Sequence, residues 1–351
     1  MKCRLTALGC LSFIICLLNA QTYGADTSKK VKVFILAGQS NMEGKAKLSL
    51  LQYQIEQPET RDFFKHLKKN GQWVVRDDVW INYLDRRGNL TVGYGSRNCF
   101  GPELEFGNTV GDHLKEQVLI IKTAWGGKSI GRDFRPPSSG LPSDEKLNQI
   151  LKQTNERNRN RKRPEVTLDD IKETYGRFYR EMMREIDTTL KELKTRFPDY
   201  KGQGYEFAGF VWFQGWNDMF DKDFLADYGK HMANFIRDVR KDLKAPNLPF
   251  VIGQMGQGGV DDTGGNKQII KDHQASMEKI PEFKGNVKVV RTDVFWDKKA
   301  AELVKNWRDH IEEWNKVGSD FGYHYLGSAI TFSKIGRAFG QAMLELMKTG
   351  K

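Results

Sequence analysis

Five runs of apolar, largely β-branched residues recur along the chain, at 31–36, 118–123, 207–213, 249–255 and 287–292, each bounded by glycine, proline or polar residues. Runs so short and so continuously apolar suit strands buried on both faces of a parallel sheet. Between them the apolar positions step by three and four. Ile171, Tyr175, Phe178, Met182, Ile186, Leu190 and Leu193 share one face of a predicted helix over 168–196. Further helices are predicted over 104–117, 223–243, 266–279, 300–316 and 331–348. Strands alternating with helices define an α/β fold: a doubly wound, mostly parallel five-stranded sheet flanked by helices. The stretch 134–164 interrupts this pattern. It is polar and rich in Pro, Ser and Arg, and reads as a surface insertion near the mouth of the sheet, within one domain spanning 26–351.

The first residues follow a different logic. Lys2 and Arg4 precede an apolar run from Leu5 to Leu18, and small or polar residues follow to Ala25. This is the pattern of a signal peptide over 1–25, and it predicts a secreted or periplasmic product. The run is too short to span a bilayer and no second one follows, so no membrane span is expected after its removal. Cys3, Cys10 and Cys16 fall inside it and leave Cys99 alone, so no internal disulfide is expected. The net charge is +11, and much of the excess sits in Arg157-Asn-Arg-Asn-Arg-Lys-Arg163. Without interleaved aromatics or a recognition helix, this run reads as a solvated loop rather than a nucleic-acid site. An anionic glycan is an alternative ligand for it. No His-Glu-x-x-His or paired Cys-x-x-Cys occurs, so neither a metal nor a cofactor is expected. The sequence leaves the oligomeric state open.

Candidate chemistry gathers at the ends of the strands. Val33-Phe-Ile-Leu-Ala-Gly-Gln-Ser40-Asn-Met-Glu-Gly44 runs an apolar strand into a polar turn. Open α/β sheets carry their chemistry at such carboxyl ends. Ser40 is either a nucleophile or the N-cap of the following helix. A serine nucleophile needs a base, and six histidines are available. His66, His113, His231, His273 and His310 fall in charged, helical surroundings that predict solvated faces. His324 lies in Asp320-Phe-Gly-Tyr-His-Tyr-Leu-Gly-Ser328, a loop directly before the last helix, where Asp320 is placed to fold back and orient the imidazole. In Phe210-Val-Trp-Phe-Gln-Gly-Trp-Asn-Asp218 the amide of Gln214 emerges at the same sheet edge and can donate to an oxyanion. Trp125 and Trp216 offer flat faces to a sugar ring, or pack in the core.

Taken in order, Gly38-Gln-Ser-Asn-Met42, Gly101-Pro-Glu103, Ala124-Trp-Gly-Gly127, Trp212-Phe-Gln-Gly215 and the His324 segment resemble the SGNH hydrolase superfamily, in its sialate O-acetylesterase and acetylxylan esterase branch. The likeness runs from about Val31 to Met347. It implies a flavodoxin-like three-layer sandwich and a serine esterase that removes acetyl groups from a carbohydrate. It also implies Ser40 as nucleophile, His324 as base, and an oxyanion hole from the amides of Ser40 and Gly101 with the side chain of Gln214. Two positions depart from the pattern. The acid that commonly precedes the histidine by three residues is replaced by Phe321, and Gln-Gly-Glu-Ser-Asp reads here Gln214-Gly-Trp-Asn-Asp218. The orienting acid is therefore Asp320, Asp218 or neither, and a carbohydrate-binding protein on an inactive esterase scaffold is the alternative function.

Overall fold

The computed structural model describes residues 23–349, so most of the predicted leader lies outside the described residues. Strands β1 (Val31–Gly38), β2 (Arg76–Tyr83), β3 (Arg86–Leu90), β4 (Val118–Ala124), β5 (Tyr205–Phe213), β6 (Phe250–Gln254) and β7 (Val287–Arg291) form one sheet in the order β7-β6-β5-β1-β4-β2-β3. All neighbours run parallel except β3, which returns antiparallel from β2 at the edge. The five expected strands are all present. The β2–β3 hairpin adds two that the hydrophobic pattern does not announce.

The helices used below are α1 (Ser40–Glu43), α2 (Pro102–Gly111), α3 (Asp144–Asn160), α4 (Leu168–Thr174), α5 (Arg177–Lys191), α6 (Lys222–Asp242), α7 (Gly265–Ser276) and α8 (Ala329–Thr349). Alternation along β1 divides the core. Val31, Val33, Ile35 and Ala37 meet Met182 and Ile186 of α5, Phe235 and Ile236 of α6, and Ile270 of α7. Phe34 and Leu36 meet Phe106 and Val110 of α2 with Ile335, Phe339 and Met343 of α8 on the opposite face. Each of these large apolar side chains, fully removed from water, contributes about 1.5–3 kcal/mol before chain entropy is set against it. Among the described residues no helix is long and apolar enough to cross a membrane.

Three expectations are corrected. The helix over 168–196 is three helices, because Tyr175 turns extended after α4 and Glu192 leaves helical geometry before a last turn at Leu193–Arg196. The helix over 300–316 is reduced to Lys298–Leu303 and Ile311–Trp314. The basic run 157–163, expected as a loop, starts on α3, a helix of the insertion 134–164 capped at its start by the Ser143 side chain accepting from the Lys146 amide. Leu147 of α3 packs with Ile171 and Tyr175 in a small core of its own. The basic run begins on the last turn of α3, where positive charge is favoured by the negative end of the helix dipole.

Strand register brings the site together. Gly38 at the end of β1 pairs with Ala124 at the end of β4 and with Phe213 at the end of β5, so the turns starting at 39, 125 and 214 leave the sheet at one level. Only glycine fits at 38, since a Cβ there would lie 2.2 Å from the Phe213 carbonyl oxygen. Beneath this edge sits Lys122, fully buried on β4. Its Nζ donates to Glu103 Oε2 and to the Glu43 carbonyl, each at 2.7 Å, and to the Tyr94 carbonyl at 2.8 Å. Burial pushes the Lys122 ammonium down from the usual lysine range while Glu103 opposes that shift. Replacing Lys122 by methionine leaves the Glu103 carboxylate unpaired in the core, and we expect a loss of about 3–5 kcal/mol. Urea unfolding of the variant checks this, and an unchanged midpoint contradicts it.

Candidate active site

Ser40 is the first residue of α1, directly after the β1 strand, and is 7% exposed. The cap of that turn is Gln39, and no side chain caps it. Ser40 therefore does not serve as the N-cap. No described residue accepts a hydrogen bond from its backbone N–H, which stands at the positive end of the turn. Across from it stands His324, whose side chain is 17% exposed. The two line one cleft of about 350 Å³, together with Gln39, Lys45, Gly126, Gly127, Trp216, Asn217, Phe220 and Tyr323.

The histidine loop is held from both sides. The Tyr323 carbonyl accepts from Asn41 Nδ2 at 3.0 Å, tying the loop to the residue after Ser40. The two residues after His324, Tyr325 and Leu326, adopt left-handed backbone (φ 51° and 60°), an unfavourable conformation for side chains of this size. Burial of Tyr325 offsets that strain, and its hydroxyl accepts from the Gly256 amide at 2.8 Å and contacts Thr292 Oγ1 at 2.5 Å. Asp320 Oδ1 lies 3.0 Å from His324 Nδ1. The approach is close enough for an ion pair but off the line of a hydrogen bond. Burial pushes the Asp320 carboxyl up, but His324 and the Phe321 amide outweigh it and hold the group below the usual carboxylate range.

Asp218 is placed elsewhere. It is fully buried, and its oxygens accept from the Ile130 amide at 3.0 Å, the Gly131 amide at 2.8 Å and Gln214 Nε2 at 2.5 Å. It pins the turn after β4 rather than orienting His324. Burial pushes it up to about 7 against those three donors. A carboxyl that titrates near 3.8 when unfolded and near 7 when folded keeps its proton longer in the folded state. Its contribution to stability then falls as pH rises from about 4 to about 7 and is constant above. We expect the stability of the parent relative to Asp218→Asn to decline across that window in urea unfolding. A rising difference contradicts this.

The expected oxyanion donors are rearranged. Gln214 is 2% exposed, and both hydrogens of its amide are engaged, with the Lys128 carbonyl at 3.0 Å and with Asp218. It braces the turn below and does not line the cleft. The Gly101 amide donates to Glu103 Oε1 at 2.9 Å, and a Cβ at Gly101 would lie 2.5 Å from Gly44 Cα. Gly101-Pro-Glu103 thus fastens α1 to α2 through Glu103 and Lys122. In the cleft, Asn217 takes the place expected of Gln214. Gln39 Nε2 donates to Asn217 Oδ1 at 3.2 Å, which leaves Asn217 Nδ2 facing Gly127 with no acceptor among the described residues. Gln39 itself is fixed by the Gly215 amide, which donates to its Oε1 at 3.2 Å. The Gly126 amide donates to Glu43 Oε1 at 2.9 Å, and the Gly127 amide has no acceptor among the described residues.

Of the two tryptophans, Trp216 lines the cleft, with ring centroids 6.1 Å from Phe220 and 6.0 Å from Tyr323. Trp125 packs instead against Phe178 at 5.2 Å and Phe134 at 6.0 Å, away from the cleft lining. Phe220, 70% exposed, and Phe321, 62% exposed, complete an aromatic rim that the sequence reading missed. Among the other histidines, His231 corrects the expectation of a solvated face. It is 1% exposed, between Arg135 Nη1 at 2.9 Å and Ser139 Oγ at 3.0 Å, and burial together with Arg135 pushes it down to about 4.

Residues 30–300 match the family of carbohydrate esterases described as sialic acid-specific acetylesterases. The chain belongs to that family. None of the curated proteins matches this carbohydrate esterase. Among solved structures it is similar to a protein of Arabidopsis thaliana, AT4G34215, at 18% identity and a TM-score of 0.50, over 90% of this chain and 98% of that one. It is also similar to XAC1771, a carbohydrate acetylesterase from Xanthomonas citri, at 13% identity and a TM-score of 0.49, over 91% of this chain and 57% of that one. NanS is similar at 12% identity and a TM-score of 0.43, over 75% and 77%. At these identities the likeness concerns the fold.

Proposed function

We propose that this carbohydrate esterase is a serine enzyme that removes O-acetyl groups from an acetylated sugar through an acyl-enzyme. Ser40 Oγ attacks the ester carbonyl while His324 takes its proton, with Asp320 steadying the imidazole and the positive charge it acquires. The tetrahedral oxyanion is held by the Ser40 amide, Asn217 Nδ2 and the Gly127 amide. As the intermediate collapses, His324 returns the proton to the departing sugar oxygen, and the acetyl group stays on Ser40. His324 then takes a proton from water, whose oxygen bonds to the acyl carbon. The second collapse breaks the Ser40 ester, His324 gives that proton to the departing Ser40 Oγ, and acetate is released.

One observation carries this reading: Ser40 and His324, far apart in sequence, line the same cleft, with Asp320 directly behind the imidazole. Neither the metal nor the cofactor that the sequence reading excludes is needed for these steps. The leader over 1–25 would export the enzyme, with residues 26–351 as one domain meeting acetylated glycans outside the cytoplasm. Acetate release from acetylated polysaccharides and O-acetylated sialic acids, scored on the purified protein, tests the reaction. We expect release from at least one of them. Binding of a glycan without release from any contradicts it and favours the carbohydrate-binding alternative.

A further inference from the structure

The catalytic cleft does not end at its own rim. Gly127, Asn217 and Phe220 also line a second cleft of about 420 Å³, so the two form one continuous depression with Phe220 as the ridge between them. The far wall comes from the insertion: Gln153, Thr154 and Arg157 of α3, with Thr174 and Tyr175 at the end of α4. That wall is firmly built. Asn155 exchanges two hydrogen bonds with Val166, at 2.8 and 2.9 Å, and Asn158 Nδ2 donates to the Pro164 carbonyl at 2.9 Å, so the chain after α3 is clasped back onto the helix.

The charged groups of this second cleft, two carboxylates and two guanidinium groups, are engaged unequally. Its carboxylates are engaged: Asp133 Oδ2 accepts from the amide and hydroxyl of Ser129, each at 3.0 Å, and Asp221 caps α6. Its guanidinium groups are far less so. Arg157 donates through Nε to the Gln153 carbonyl at 3.2 Å and meets no carboxylate among the described residues. Arg132 is half exposed and only within 3.9 Å of Asp133. By contrast Arg159, two residues along the same basic run, closes on Glu165 at 2.7 Å. The run therefore divides: Arg157 reaches the cleft and Arg159 does not.

We propose that the second cleft is a subsite for a carboxylate-bearing sugar unit of the glycan, beyond the unit whose acetyl group is removed, with Arg157 and Arg132 binding the carboxylate. The substrate is then an acidic oligosaccharide or polysaccharide that crosses Phe220. This rests on the esterase reading above. A planar guanidinium matches a carboxylate through paired charge-assisted hydrogen bonds, while Gln153 and Thr154 suit the sugar hydroxyls.

The test is acetate-release kinetics on singly acetylated oligosaccharides of equal length, with and without a uronic acid unit, using the full chain. We expect the acidic substrate to be favoured in kcat/KM by about tenfold or more, with the preference shrinking as salt is raised. In Arg132→Gln/Arg157→Gln the acidic-to-neutral ratio falls to about one, with the loss carried by KM, and Arg159→Gln keeps the parent's ratio. Equal treatment of the two substrates by the parent overturns the subsite, as does a double variant that keeps the preference. If the parent releases no more acetate than Ser40→Ala from any substrate, including an aryl acetate, the esterase reading itself is overturned and the subsite with it.

Discussion

Replacing Ser40 by alanine is expected to lower kcat/KM on an acetyl ester by about 10³-fold or more, with a melting temperature close to the parent's. The two halves of that result follow from different parts of the structure. The rate falls because the only atom removed is the hydroxyl oxygen that would bond to the acyl carbon. Stability is spared because Ser40 is not the cap of its turn, and because the contacts fixing the turn belong to its neighbours, Asn41 on the Tyr323 carbonyl and Lys122 on the Glu43 carbonyl. An N-capping serine would give the reverse, a stability loss of about 1 kcal/mol and an unchanged rate. Steady-state kinetics beside thermal unfolding separate the two, and a variant with near-parental activity contradicts the nucleophile assignment.

Asn217→Ala is expected to cost about 10²–10³-fold in kcat, with little change in stability, because Asn217 lines the cleft and its Nδ2 has no acceptor among the described residues. The companion Gln214→Ala should behave differently. It removes a donor to the buried Asp218 and to the half-buried Lys128 carbonyl, and so leaves the Asp218 carboxyl short of a partner in the core. The expected signature is a lowered unfolding midpoint, with any loss of rate following from disturbance of the turn. Measuring kcat and urea midpoints for both variants decides which amide acts on substrate. A large kcat loss confined to a fully stable Gln214→Ala would restore the arrangement that the family resemblance implied.

That exchange shows what the sequence made legible. The turn bearing Ser40 could be read because it follows a change from apolar run to polar residues, and sheet register brings such turns to one edge, whereas the loop of Asp320 and His324 was marked by its glycine and aromatic residues just before the last helix. Which amide at 214–217 faces the cleft could not, since it depends on Gln39 fixing Asn217 and on Asp218 drawing Gln214 inward, contacts between residues of separate turns. The β2–β3 hairpin escaped for a related reason. Its inward polar residues are satisfied by partners distant in sequence, Arg76 by Asp112 as well as its neighbour Asp78, and Asn82 by Glu185 and Arg196, so no apolar alternation marks it. Lys122 was hidden inside an apolar run because its carbonyl and carboxylate partners come from three other segments. The helix α3 stayed hidden in the insertion because its polar surface outnumbers the few residues, Leu147 among them, that give it a core.

Ser40 carrying the acyl group, with a base and oxyanion donors around it, is the centre of the proposed reaction. Peptide mass spectrometry after treatment with a serine-directed fluorophosphonate tests this directly. One adduct on the peptide containing Ser40, reduced when an acetylated substrate competes and absent in Ser40→Ala, is the predicted result. An active enzyme that remains unlabelled at Ser40, or is labelled at another residue, contradicts it.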